Sequence, residues 1–266
     1  MTNSLYRAQS RNELQIYYQP QVNVASGEIT GFESLLRWNH PELGMILPYD
    51  FIGLAEQTGL IHPIGEWVLK TSCRQLRRWQ DMGFPPFRIA VNLSLEQFRN
   101  AKLVGMVGNI LKETGLKPEY LELELTESTA VREAEHIIGV LEAFKKLGIT
   151  IALDDFGTEY SSLTRLKHLP ADRIKIDMQF VHGITKDSKD EAIVKTMIQL
   201  AKNLKIKVLA EGVETKEQFE FFRRQECDEI QGYYFYKPMP AADIEVLLRS
   251  LYDPQPTDNC VDQTPA

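Results

Sequence analysis

Asp154 and Asp155 stand side by side at the end of the apolar run Ile149-Thr150-Ile151-Ala152-Leu153, and Phe156-Gly157 follows at once. The run reads as a buried strand and the Phe-Gly pair as a turn. Two carboxylates this close repel each other unless a cation offsets them, and hard divalent cations take oxygen ligands. The pair therefore points to Mg²⁺ or Mn²⁺, against the plainer reading of a surface turn, where Asp is common. Similar residues recur at other strand-like segments. Glu33 and Arg37 lie on one, Asn92 ends another, and Glu124 and Glu127 end a third. Lys175 and Asp177 end the next, Glu211 ends its own with Glu214 just after it, and Gln231 lies on the last. Charged side chains are rarely buried unless paired or metal-bound. An ion-pair network explains such a ring only if the charges balance. With Lys175 and Arg37 as the cations, the acids are in excess, and one or two divalent ions would balance them.

The elements that must bring these residues together alternate along the chain. Residues 14–22 and 29–38 read as strands separated by a Ser26-Gly27 turn, so one runs antiparallel to the other. Residues 48–58 and 65–82 read as helices, the second with Trp67, Val68, Cys73, Leu76 and Trp79 at helical spacing. Its Arg74, Arg77 and Arg78 read as a solvated face. Strands follow at 87–93, 120–126, 149–154, 173–177, 206–211 and 229–233. Helices are expected at 95–114, 131–147, 161–168, 190–203, 216–224 and 241–251. About eight strands with intervening helices make an α/β chain with the pattern of a (β/α)₈ barrel; a doubly wound open sheet is the alternative. In a barrel, the carboxyl ends of the strands build the site. Residues 1–13 read as an N-terminal linker or helix, 14–251 as the barrel, and 252–266 as a disordered tail rich in Pro, Thr, Asp and Gln.

Composition sets outer limits. The chain has 266 residues and a formal net charge of -7, which argues against a surface for duplex nucleic acid. Cys73, Cys227 and Cys260 form neither a metal knuckle nor a disulfide framework, and a reducing, cytoplasmic compartment is expected. The five histidines show no zinc-ligand spacing. Tyr233, Tyr234, Phe235 and Tyr236 are expected to pack as part of a strand. No apolar run approaches the roughly 20 residues of a membrane span, so the domain is expected to be soluble even if a longer parent protein is membrane-anchored.

The motifs taken in order resemble the EAL domain family of cyclic di-GMP phosphodiesterases. Tyr18-Gln19-Pro20 resembles its opening YQP, and Glu33-Ser34-Leu35-Leu36-Arg37 its EALLR signature with Ser for Ala. Val91-Asn92-Leu93-Ser94, Glu124-Leu125-Thr126-Glu127, Asp154-Asp155-Phe156-Gly157-Thr158 and Tyr160-Ser161-Ser162-Leu163 match VNxS, ExTE, DDFGT and YSSL. Lys175-Ile176-Asp177, Glu211-Gly212-Val213-Glu214 and Gln231-Gly232-Tyr233 match KID, EGVE and QGY. Any one of these is weak; the ordered set, from about residue 14 to 248, is specific.

The resemblance implies a modified TIM barrel with one antiparallel strand, which agrees with the hairpin reading. It implies that Glu33, Asn92, Glu124 and Asp154 bind one Mg²⁺ or Mn²⁺, and that Asp154 and Asp155 hold a second. Lys175 would hold the attacking water, and Glu211 is the candidate general base. Gln19, Leu35 and Arg37 would contact cyclic di-GMP, with Arg37 on a phosphate; Glu214 and Gln231 would complete the pocket. Glu127 would brace the loop after Asp155. The implied product is linear pGpG, and the implied partners are a second copy of the chain and a sensory or GGDEF domain in a longer parent protein. Such chemistry is reasonable: two cations roughly 4 Å apart can bind an anionic phosphodiester, acidify a water and stabilise the leaving oxygen.

Two residues depart from the family pattern. Ser34 is small and should face away from Glu33 and Leu35. Glu159 stands where the family has Gly, which bears on the loop said to link dimerisation to metal binding. Two rivals to hydrolysis follow. One is a receptor that binds cyclic di-GMP without cleaving it; the intact ligand set speaks against it. The other is a scaffold with a vestigial site, against which the cost of unneeded buried charge counts.

Overall fold

The computed structural model describes residues 2–131, 134–158 and 168–252. Glu159, the Tyr160-to-Leu163 motif, the helix expected at 161–168 and the tail beyond 252 lie outside them.

Ten strands are present among the described residues: β1 (Leu14–Asn23), β2 (Ile29–His40), β3 (Gly44–Ile46), β4 (Arg88–Asn92), β5 (Leu121–Thr126), β6 (Thr150–Phe156), β7 (Arg173–Ile176), β8 (Lys207–Glu211), β9 (Glu229–Gln231) and β10 (Met239–Pro240). Eight of them close a barrel in the order β1-β2-β4-β5-β6-β7-β8-β9, with β9 returning to β1. From β2 to β9 each neighbour is parallel, while β1 is antiparallel to both β2 and β9. This is the expected barrel with one reversed strand. The small strands β3 and β10 extend it as antiparallel additions to β2 and β1.

Strand β5 shows why the barrel closes around polar groups. Its sequence is Leu-Glu-Leu-Glu-Leu-Thr, and alternate side chains point to opposite faces. Leu121, Leu123 and Leu125 are buried in the shell between sheet and helices, each stabilising the fold by about 1.5–3 kcal/mol. Glu122 and Glu124 take the other face and are fully buried in the lumen. The apolar core is thus a ring around the barrel. The helix Ile61–Asp81 seals one side of it with Leu69, Cys73, Leu76 and Trp79, and Trp79 packs on Tyr18 and Phe32.

Several elements differ from expectation. The helix expected at 95–114 is two, Leu95–Phe98 and Leu103–Thr114. Ser94 and Gln97 close a capping box on the first, and the Asn100 side chain then accepts from the Lys102 amide, a local bond that competes with helix continuation. The helix expected from 65 begins at Ile61, since Pro63 is tolerated in a first turn. Of the helix expected at 131–147, Ala134–Leu147 is described as helix, and a five-residue helix, Glu127–Val131, comes before it. A six-residue helix, Met178–Gly183, capped by Asp177, was not expected. Strand β9 stops at Gln231, so Tyr233 and Tyr234 lie beyond it in a turn, with Tyr234 stacked on Phe219. No helix among the described residues is long and apolar enough to cross a membrane.

Candidate metal-dependent active site

The strand register brings the acids to one mouth. Asn92 lies beside Glu124, Thr126 beside Asp154, Glu211 beside Gln231, and Gln19 faces Glu33. Lys175 stands in their midst, fully buried. Its Nζ lies 2.8 Å from Glu124 Oε2, 2.8 Å from Glu211 Oε1, 3.3 Å from Asp154 Oδ2 and 3.6 Å from Glu33 Oε1. One ammonium therefore faces four carboxylates, with Asp155 next in chain. Arg37 feels the charge of Glu33 but forms no ion pair with these acids among the described residues. Its guanidinium donates to the Leu36 carbonyl and sits over the Tyr17 ring. The excess of acid at the mouth is larger than the sequence count suggested.

Oxygen atoms of Glu33, Glu124 and Asp154 lie within 4.8 Å of one another, as do those of Asp154, Asp155 and Glu211. Asp154 belongs to both groups. Asn92 donates through Nδ2 to Glu33 Oε1, which leaves its Oδ1 as a candidate ligand atom. Glu124 Oε1 is buried with no hydrogen-bond partner. A buried carboxylate oxygen without a donor is costly, and a cation would satisfy it. The donor set, all hard oxygen, fits divalent Mg²⁺ or Mn²⁺ better than a soft metal. Glu211, expected as a base, thus also falls among possible ligands.

Electrostatics separate the acids. Burial pushes the Glu124, Asp154 and Glu211 carboxyls above their ordinary range, and their carboxylate neighbours add to it. For Asp155, burial, Asp154 and Asp177 raise the value to about 6. Glu33 goes the other way: burial opposes its ionisation, but Lys175, Gln231 and Asn92 overcome it and hold the carboxyl low. Burial also opposes the charge on Lys175, and Asp154, Glu124, Glu211 and Glu33 together raise it well above the ordinary value.

A carboxyl whose folded value is raised contributes stability that is complete below its unfolded value and lost as pH rises through the folded one. Without a divalent ion, the Asp155 contribution is therefore present near pH 4 and gone above pH about 6. Thermal unfolding of the ion-free protein should show this decline between pH 4 and 7, and Asp155→Asn should flatten the curve. An unchanged slope in that variant would remove Asp155 as its source.

The loop carrying Asp155 is held tightly. Asp155 adopts a left-handed φ of 54°, and its amide donates to Asp154 Oδ1. Gly157 follows at φ 96°, where a Cβ would collide with Met197 and press on Phe180. Glu127 Oε2 accepts the Gly157 amide at 2.8 Å, which ties the start of β6's following loop to Glu127. Glu127→Ala should cost about 1.5–3 kcal/mol, the value of a hydrogen bond to a charged group, and should weaken Mn²⁺ binding through Asp154 and Asp155. Denaturant titration and Mn²⁺ titration read the two effects separately.

Gln19, Gln231 and Leu35 adjoin this centre. Gln231 Nε2 donates to Glu33 Oε2 at 2.6 Å and to Gln19 Oε1 at 3.1 Å. Leu35 and Asn92 line a cavity of about 680 Å³ that runs out past Ile52, Val68 and Ser94. Glu214 is half-exposed beside His182, at 3.9 Å.

A second charged layer, not expected from the strand ends, lies deeper in the lumen. Arg88 and Arg173 both bridge Glu122 and Glu229, with contacts of 2.7–3.1 Å. Two cations meet two anions there, so this layer is balanced within itself. The signal was present in strand period: Glu122 and Arg173 stand two residues before Glu124 and Lys175 and must share their face.

The EAL domain family model matches residues 2–238. The bifunctional diguanylate cyclase/cyclic di-GMP phosphodiesterase MucR of Pseudomonas aeruginosa is 47% identical over 92% of the chain, which spans 36% of that relative. The cyclic di-GMP phosphodiesterase NbdA of the same organism is 40% identical over 94% of the chain, which spans 32% of it. The chain thus spans about a third of the length of these curated relatives. The solved PaMucR phosphodiesterase in complex with c-di-GMP superposes with a TM-score of 0.88 at 48% identity, covering 91% of this chain and 98% of that one. A barrel of this topology, acids converging where the motifs place them and these likenesses have one common explanation: the chain belongs to the EAL domain family.

Proposed function

We propose that the chain is a metal-dependent phosphodiesterase that hydrolyses cyclic di-GMP to linear pGpG. The observation that carries this is the set of five carboxylates, Glu33, Glu124, Asp154, Asp155 and Glu211, gathered at one mouth around a single Lys175. Relatives at 40–47% identity bear the name of that activity, and the superposed PaMucR structure holds the nucleotide. Glu33, Asn92, Glu124 and Asp154 would hold one Mg²⁺ or Mn²⁺, and Asp154, Asp155 and Glu211 a second. When bound, the ions would neutralise the phosphodiester and acidify a water. Lys175, with its charge secured by four acids, would orient that water by donating to it. Glu211, whose Oε1 lies 2.8 Å from Lys175 Nζ and so beside the water that Lys175 would orient, would accept the proton. Arg37, whose guanidinium donates to the Leu36 carbonyl, would turn to a phosphate. Gln19, Leu35, Glu214 and Gln231 would contact the nucleotide, and the cavity beside Leu35 offers an apolar wall for a base.

A homodimer, and a sensory or GGDEF domain elsewhere in a longer parent, belong to the same proposal; the name of MucR joins a diguanylate cyclase to a phosphodiesterase. Free, buried Cys73 and Cys227 suit the cytoplasm. The test is incubation with cyclic di-GMP and Mg²⁺, followed by chromatography. Appearance of pGpG that stops on chelation supports the reading. Nucleotide binding with no product would select the receptor instead, and neither binding nor product would overturn both.

A further inference from the structure

An arginine side chain offers only donors, whereas a glutamine amide has one accepting end and one donating end. In this barrel the difference propagates. Arg88, held in the deeper layer by Glu122 and Glu229, donates through Nη2 to Gln21 Oε1. Gln21 must then turn its Nε2 toward the mouth, where it donates to Gln231 Oε1 at 3.0 Å. Gln231 in turn presents Nε2 to Glu33 Oε2 and to Gln19 Oε1. Gln19 is left with its own Nε2 toward the Tyr236 carbonyl, at 3.2 Å. Gln21 is fully buried, so water does not compete for its ends.

We infer that Arg88 and Gln21 are positioning residues that set the polarity of this amide chain and so fix the Glu33 carboxylate for a divalent ion. With the chain reversed, the Gln231 carbonyl would face the Glu33 carboxylate, and acceptor would meet acceptor. Neither Arg88 nor Gln21 is hydrogen-bonded to Glu33. They act through Gln231, the only one of the three that touches Glu33. The inference rests on the reading of the mouth as a divalent-ion site and adds the device that keeps one of its ligands oriented.

The test is Mn²⁺ titration of the full, ion-free chain without nucleotide, followed by electron paramagnetic resonance of free Mn²⁺. Gln21→Met keeps the size and all four ion pairs of the deeper layer. It should lower Mn²⁺ affinity about tenfold, as expected from loss of one well-oriented hydrogen bond to a charged group. The same substitution made over Gln231→Met should change affinity less than about twofold, because the route to Glu33 is already cut. A part that merely packs would give effects that add. Wild-type affinity in Gln21→Met, or simple additivity, overturns the inference while leaving the ion site intact. A wild-type chain that binds no Mn²⁺ overturns the site reading and the inference together. If Gln21→Met does not fold, Arg88→Lys replaces it in the same cycle. Lysine keeps the charge beside Glu122 and Glu229 but lacks the fork that also reaches Gln21.

Discussion

Lys175→Met should reduce cyclic di-GMP hydrolysis by roughly 10²–10⁴-fold, the usual contribution of one positioned proton-handling group, and should also destabilise the ion-free protein. Lys175 is fully buried with four carboxylates within 3.6 Å, and no other cation among the described residues touches them. Deleting the buried partner of an ion pair costs about 3–5 kcal/mol, because the charge left behind has lost its solvation and its counter-ion. The acids can respond in two ways, by taking up protons or by taking up a cation. Stability of the variant should therefore recover as pH falls toward 5. It should also recover with Mn²⁺, by about 2.7 kcal/mol at a concentration one hundred times the dissociation constant. Denaturant unfolding with and without Mn²⁺ reads this, and product chromatography reads turnover. A variant that hydrolyses the nucleotide normally would remove Lys175 from the mechanism.

Arg173→Met should be equally destabilising, again by about 3–5 kcal/mol, but divalent ions should not restore it. Arg173 binds Glu122 at 3.0 Å and Glu229 at 2.7 Å, and all three are buried. Its loss leaves two carboxylates with Arg88 alone, in a layer whose polar groups are already committed to one another. Replacing Arg88, Glu122, Arg173 and Glu229 together by apolar residues of similar volume should be far milder than the single change, since whole buried networks are often neutral to replace. Equal Mn²⁺ rescue of the Lys175 and Arg173 variants would show that the two layers form one electrostatic unit.

Much of this site was legible because strand order and strand ends are written locally. Apolar runs marked the strands, their last polar residues marked the mouth, and the Ser26-Gly27 turn marked the reversed pair. The ordered motifs then limited the choice of chemistry. What the chain did not disclose was pairing across the lumen. Arg88 and Glu122 are 34 residues apart, and Gln21 and Gln231 are 210 apart. Only barrel closure brings them together, and strand ends taken one at a time carry no information about depth in the lumen. Arg37 shows the converse: its type suited the acids, but its position on β2 sets it over the Tyr17 ring, with Glu33 acting on it only at longer range. The short Met178–Gly183 helix escaped because six residues carry too little periodicity, although Asp177 was a readable cap.

The reversal of β1 carries a mechanical consequence. Leu14 pairs with Trp38 beyond the acids, and Asn23 pairs with Glu229 at the far end, so this strand threads downward while its neighbours climb. Whatever is tethered ahead of Leu14 therefore grips the protein at its lip, and a tug or twist there runs along one backbone directly to Gln19 and Gln21. In a barrel with eight like-directed strands the same tug would land on the opposite pole.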